Sequence, residues 1–223
     1  MTGEIRFMKG ILQPSTYFEF FRQVTAVKGF LLQFTVLLAV NAVVTGIAYY
    51  ISFESFLQLP MMEHVKITNG QKDALHLFLA LGGTIVGFLL PIFYITAITL
   101  LFLFFFREIG FKKLFYIQSV VYSIFIVANV FKLPFMAVTK TNEVMSPLGL
   151  GILSHFFTEN AFINALFGSL TIFLIWGIYV TYIALRWMSF KSKRYVLTVL
   201  FTIYGGYVLI SSLFAALSNG QIS

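Results

Sequence analysis

His155 and Glu159 stand one helical turn apart, and Asp73 and His76 nearly so, in a chain with three histidines and no cysteine. Side chains three or four residues apart share a helix face, so either pair has the spacing of two metal ligands. A zinc site needs three or four ligands. His64 shares a loop with His76, but nothing in the sequence obliges the two to meet, and a surface or helix-end role is the simpler reading of all three histidines. The lack of cysteine removes disulfides, thiolate metal sites and a cysteine nucleophile together. There is no G-x-x-x-x-G-K-[ST] loop to cradle a phosphate, no H-E-x-x-H and no G-x-S-x-G elbow. The sequence therefore predicts no catalytic residue, no metal and no cofactor.

The elements that must carry these residues are oily. Hydrophobic residues make up 59% of the chain and charged ones 10%, with a mean hydropathy of +0.92, whereas a soluble domain is about one quarter charged. Stretches over about 30–51, 83–106, 114–131, 165–188 and 195–217, free of charge except for Arg186 at the end of the fourth, meet or approach the ~20 residues that a hydrocarbon layer of ~30 Å requires. The second stretch belongs to a longer apolar run from Leu75 to Phe106. It is too long for one upright helix and too short for two crossings, so it is expected to start in the interface, span from about Gly83 and bend at Pro91. No ionisable residue lies near the middle of any stretch, which disfavours a proton-coupled pump. The expected fold is an all-α membrane protein: a cytoplasmic amphipathic segment over 1–28, a five-transmembrane-helix bundle over 29–217, and a short outer tail over 218–223.

Direction follows from the cations. Arg6, Lys9, Arg22 and Lys28 precede the first span; Arg107, Lys112 and Lys113 join the second to the third; Arg186, Lys191, Lys193 and Arg194 join the fourth to the fifth. The opposite connections hold Lys66, Lys72, Lys132 and Lys140 among five acidic residues. Short loops rich in Lys and Arg stay on the cytoplasmic side, so the N-terminus is expected inside and the C-terminus outside. The net charge of +7 thus flanks apolar runs and predicts lipid, not nucleic acid, as the partner. Arg22, Lys28, Lys112, Lys113, Lys191, Lys193 and Arg194 are the expected headgroup contacts. Val40-Asn41-Ala42 faintly resembles a signal-peptide cleavage site, but the apolar run continues past it to spanning length, as in an uncleaved anchor.

Outside the spans, Thr16 and Glu19 have capping-box spacing, and Tyr17, Phe20, Phe21, Val24 and Val27 follow at helical spacing. A helix lying in the inner headgroup layer is expected there, with partner docking as the alternative. The connection from Lys132 to Ile163 carries Pro147, Gly149 and Gly151 and is expected to be irregular yet apolar, packing as a lid on its own helices or presenting a binding surface.

Uncharged polar and small residues mark the expected inward faces. Thr198, Thr202, Gly205 and Ser212 fall on one narrow face of the last span, and Gln118, Tyr122 and Asn129 on one face of the third. Gly83 and Gly87 make a G-x-x-x-G pair, and Gln33 and Asn41 need partners in the first span. Packing within the chain is the simpler reading, and contact with another protein's helices is the alternative. Trp176, too deep for a headgroup anchor, is expected to pack inside beside Gly177, where its indole N–H finds an acceptor.

The order of these features resembles the Yip family, the Ypt/Rab-interacting-protein membrane domain, in its bacterial form. The residues that carry the likeness are Pro14 ahead of the first span, Gly110-Phe111-Lys112-Lys113-Leu114-Phe115 leading to Val121-Tyr122-Ser123, Ser146-Pro147-Leu148-Gly149, and Ile172-Phe173-Leu174-Ile175-Trp176-Gly177 with its basic exit. The likeness covers nearly the whole chain. It implies a five-span domain that is not an enzyme, placed in a bacterial plasma membrane beside an ABC-type transporter, or in the endoplasmic reticulum or Golgi if the source is eukaryotic. The chain lacks a D-L-Y-G-P segment before its first span, which points away from a Rab-type GTPase partner. The expected role is a scaffold or accessory subunit; the alternative is a permease-like conduit for a lipid or hydrophobic peptide.

Overall fold

The computed structural model describes residues 2–4, 7–24, 26–57, 68–139, 149–154, 156–158 and 160–218, and among them the chain is almost entirely helical. Four helices are long and apolar enough to cross a membrane: α3 (Phe30–Ile51), α5 (Asn69–Phe105), α6 (Phe111–Thr139) and α10 (Lys193–Ser218), where α1 (Phe7–Leu12), α2 (Pro14–Arg22), α4 (Phe53–Leu57), α7 (Gly151–Ser154), α8 (Ala161–Ser169) and α9 (Ile172–Met188) complete the order. Two three-residue strands, β1 (Thr2–Glu4) and β2 (Ala26–Lys28), pair in parallel beside the N-terminal helices. Arg6, His64, Lys66, Lys140, the Ser146–Leu148 stretch, His155, Glu159 and the 219–223 tail lie outside the described residues.

Several helices start where the sequence supplies a cap or a turn. Thr68 and Gln71 form a capping box at the start of α5, with Thr68 N donating to Gln71 Oε1 at 2.9 Å. Gly29 before α3 and Gly110 before α6 adopt positive φ of 74° and 79°, which a side chain resists. The fourth apolar stretch is not one helix. It breaks at Leu170, and Thr171 caps α9 by accepting from Leu174 N at 3.1 Å, leaving α9 at 17 residues. That is about 26 Å of helix, short of a ~30 Å layer.

The second stretch lies within one long helix. Starting at Asn69, before the expected crossing from about Gly83, α5 runs 37 residues through Pro91 as one helix, about 56 Å long, so it must tilt or project beyond a bilayer. Likewise α6 continues through Lys132 and Pro134, and the 132–163 connection contains the end of α6, all of α7 and the start of α8.

Packing is antiparallel between α3 and α5. As α3 numbers fall, α5 numbers rise: a Cβ on Gly83 would lie 2.7 Å from Tyr49 Cγ, and one on Gly87 would lie 2.6 Å from Thr45 Cβ and 2.9 Å from Asn41 O. A Cβ on Gly46 would collide with Thr84 Oγ1 in the same seam. Backbones approach this closely only where side chains are missing, which is how helices associate without a hydrophobic driving force. The most enclosed of the four long helices is α6, with 50% of its most apolar window buried against 28–33% for the others. It packs on α3, α5 and α9 at once. Outward faces carry exposed Leu31, Leu32, Phe78, Phe93, Phe201 and Phe214, an apolar exterior that suits lipid as its solvent.

One end of the bundle is solid. Tyr17, Phe18 and Phe21 of α2, followed by Val24, are buried against α6 and α9 with Phe102, Phe106, Leu114, Leu185 and Leu200. A Cβ on Gly10 would lie 2.7 Å from Val120 Cγ1, so α1 is seated equally closely. This corrects the reading of the N-terminal segment as a helix resting only among headgroups: its aromatic face is core, and Phe20 alone of the expected α2 aromatics points away. The Thr16–Glu19 capping box is not used either, because α2 starts at Pro14 with Gln13 as its N-cap.

Candidate functional site

Away from the solid end the bundle opens. A half-open cavity of about 520 Å³ lies between α5, α6, the α8–α9 junction and α10. Its apolar lining includes Phe125, Ala128, Leu174 and Ala215; Tyr94, Tyr122 and Tyr207 supply phenol hydroxyls, and Asn129 and Lys132 an amide and an ammonium. Among the described residues no carboxylate or imidazole lines it. Ser169, Thr171 and Ser211 add hydroxyls already engaged with the backbone: Ser169 donates to Ala165 O at 2.9 Å, Ser211 donates to Val208 O at 3.0 Å, and Thr171 caps α9.

Helical period builds the vestibule wall. Tyr122, Phe125, Asn129 and Lys132 are separated by three, four and three residues, so one face of α6 runs from aromatic depth to a charged rim over about 15 Å. Tyr94 meets this face with its ring 5.5 Å from that of Tyr122. The break at Leu170 matters here, because it brings Gly168, Ser169 and Thr171 to the wall. Gly149 bridges to Thr171, and Leu150 N donates to Leu170 O at 3.2 Å, so the segment leading into α7 packs on that junction. A Cβ on Gly151 would lie 2.8 Å from Gly168 Cα. A second, almost wholly apolar space of about 410 Å³ lies between α7 and α8, beside Phe157. Phe156 and Phe157 are 80% and 87% exposed.

The predicted inward residues divide. Gly83 and Gly87 form the α3 seam, Gln118 is buried, Tyr122 and Asn129 line the vestibule, and Gly177 is buried with Phe125 Cζ at 3.4 Å from where its Cβ would stand. Ser212 is buried and donates to Val208 O at 2.7 Å. Thr198 and Thr202 are on the outside, a correction with a simple cause: Thr202 donates to Thr198 O at 2.9 Å within its own helix and needs no interior partner. Gly205 has no atom within 4 Å of where a Cβ would stand. The true inward face of α10 is Val196, Leu200, Tyr204, Val208, Ser212 and Ala216, one residue in every four. Trp176 is corrected too, since it is 43% exposed and points away from the bundle while Gly177 faces in.

Sequence reasoning did not single out Tyr94, Tyr207 or Lys132 as one site. The available signal was the depth of the two tyrosines, since phenols that serve as interfacial anchors sit at span ends. Among the histidines, His76 is described. It stacks on Tyr50 and Phe53 with ring centroids 3.8 and 4.4 Å away and is bonded to Tyr50 O at 2.7 Å, a structural role at the top of α3.

The basic residues converge at the solid end. Lys113 Nζ donates to Arg22 O at 3.2 Å, Arg22 lies 5.6 Å over the Phe190 ring, Lys191 lies 5.4 Å over the Tyr195 ring, and the Tyr195 hydroxyl donates to Phe105 O at 3.4 Å. These contacts tie the N-terminal segment, the α5–α6 turn and the α9–α10 turn together. Arg22, Lys28, Lys112, Lys191, Lys193 and Arg194 are exposed there.

The architecture defines the class: a helical protein with several membrane-length apolar helices, consistent with a multi-pass membrane protein. Comparison with models of protein families, with curated proteins and with solved structures finds no match.

Proposed function

We propose that the chain is a non-enzymatic accessory or scaffold subunit that crosses a bacterial plasma membrane five times, with its N-terminus inside and its C-terminus outside. The fourth crossing in chain order is α9 extended by α8 across their break. The gathering of the basic turns at one end supports the orientation, since such loops resist translocation. The Yip-like order of motifs supports an ABC-type transporter as partner.

The observation that carries the reading is the solid inner half. With α2 seated among Phe102, Phe106, Leu114 and Leu185, a buried core of described residues stands between the vestibule and the basic end. A subunit that holds a partner needs no route through that core. Its chemistry fits as well: among the described residues the vestibule has hydroxyls, an amide and an ammonium, but no base beside a nucleophile. The test is gentle extraction of a tagged chain at native expression. Recovery with an ATPase and a permease is expected, and repeated recovery of the lone chain overturns the proposal.

The vestibule favours one other reading, a conduit for a lipid or hydrophobic peptide. That reading requires α2 to release during the cycle. Flux across vesicles containing the purified chain, lost when α2 is tethered to α9 by a disulfide, is its signature.

A further inference from the structure

We propose that the vestibule binds an anionic amphiphile, an acyl chain capped by one negative head group, with the head at Lys132 and the chain directed toward Phe125 and Tyr122. The inference rests on the membrane embedding proposed above and not on any partner subunit.

Size admits such a ligand. A cavity of about 520 Å³ lies within the roughly 300–1,000 Å³ typical of small-molecule pockets. One acyl chain fits this space, and the second tail of a phospholipid would remain outside in the bilayer.

Charge selects its sign. Among the described residues Lys132 is the one charged side chain in the lining; it is half-buried and has no acidic partner among them. An ammonium withdrawn from water is stabilised by a counter-charge and by hydrogen bonds to it. The Asn129 amide and the Tyr94 and Tyr207 hydroxyls are further donors without a hydrogen-bond partner among the described residues. Among the described residues, one cation beside groups able to donate, with no carboxylate, describes a receptor for an anion. A cationic amphiphile would face Lys132 with repulsion, and a neutral one would leave it unpaired.

Direction comes from α6. Lys132 and Asn129 lie at the rim, and Phe125 and Tyr122 lie one to three turns deeper on the same face. Leu174 and Ala128 complete an apolar lining for the tail. A head at the rim and a tail below satisfy both ends of this gradient, whereas an inorganic anion satisfies only the first.

The experiment uses the full chain in nanodiscs of zwitterionic phosphatidylcholine, with radiolabelled palmitate and hexadecanol as probes. Palmitate is expected to bind at about one per chain and about ten-fold more tightly than hexadecanol, the scale of a single charge-assisted contact. Lys132→Met is expected to erase that preference and Lys132→Arg to keep it. Equal binding of the two probes by the unaltered chain, or an unchanged preference in Lys132→Met, overturns the proposal. Ala128→Trp fills the cavity and is expected to abolish binding of both probes; persistent binding by this variant, shown folded by circular dichroism, also overturns it. Inorganic phosphate displacing palmitate at equal concentration would reduce the site to an anion site and reject the amphiphile. Competition by added phosphatidylglycerol identifies the bilayer's own lipid as the occupant, and its absence identifies free fatty acid. Failure to recover a transporter partner would leave every one of these binding results unchanged.

Discussion

Asn41 Nδ2 of α3 donates to Gly87 O of α5 at 2.7 Å, and Gly87 is the residue four before Pro91. In a helix that carbonyl would accept from the N–H at position 91, which proline lacks. The first span thus supplies the hydrogen bond that the second cannot make for itself. The small residues of the seam make this possible, because only a close approach brings a short asparagine side chain to a neighbouring backbone. In hydrocarbon no water can take its place, so proline within a spanning helix is tolerated where a neighbour re-satisfies the freed group.

Asn41→Leu is therefore expected to destabilise the bundle by about 1–2 kcal/mol. Pro91→Ala restores an intrahelical donor to Gly87, so the same Asn41→Leu change should cost less than half as much in that background. A double-mutant cycle read by steric-trap unfolding in bicelles measures the coupling. Equal costs in the two backgrounds would show that the Asn41 bond does not substitute for the missing N–H.

Gly82 and Gly83 provide a matched control for the seam. A Cβ on Gly83 meets Tyr49 at 2.7 Å, whereas nothing lies within 4 Å of one on Gly82. Gly83→Leu should cost about 1–3 kcal/mol through forced displacement of Tyr49. Gly82→Leu should be neutral or slightly stabilising, since leucine is the better helix former. The pair is to be compared in the same unfolding assay, and equal effects would contradict the packing of α3 on α5.

The legible parts of this fold were those with one physical solution. A charge-free run of spanning length has few alternatives, and neither does a G-x-x-x-G pair, whose only asset is close approach. Hydroxyls were misleading because they have two solutions: Thr202 bonds to its own helix as readily as to a neighbour, so the Thr198–Thr202 stripe carried no directional information. The break at Leu170 was hidden because Ser169 and Thr171 serve equally as span residues and as the end of one helix and cap of the next. Aromatic residues at helical spacing in α2 fit headgroups or a protein core alike. Only the tertiary positions of α6 and α9 decide between them.

Phe18 and Phe20 separate those two fates of α2. Phe18 is buried in the core and Phe20 is exposed two positions along. Phe18→Ala should loosen the N-terminal segment by about 3–5 kcal/mol, the usual cost of emptying a buried phenylalanine site. Phe20→Ala should leave its docking intact. Limited proteolysis between α2 and α3 reports the difference as faster cleavage in the first variant alone. Rapid cleavage in neither would mean that α2 is held by contacts other than its buried ring.

Trp176 tests which surface the lipid wets. It stands four residues into α9, about 18 Å along the axis from the end of the helix nearest the basic turns, and its ring faces away from the bundle. The chain has two tryptophans, so Trp187→Phe isolates its fluorescence. In bilayers of lipid brominated along the acyl chain the emission should be strongly quenched, and more so than with bromine near the headgroup. Gly177, about 100° around the helix and against Val121 and Phe125, should make Gly177→Leu disruptive while Trp176→Phe changes stability by no more than about 0.5 kcal/mol. A Trp176 shielded from acyl bromine, or a loss of about 3 kcal/mol in Trp176→Phe, would rotate α9 by half a turn. Such a rotation would carry Leu174 and Gly177 off the bundle and remove a wall of the vestibule, so this measurement bears on the site as directly as on the helix.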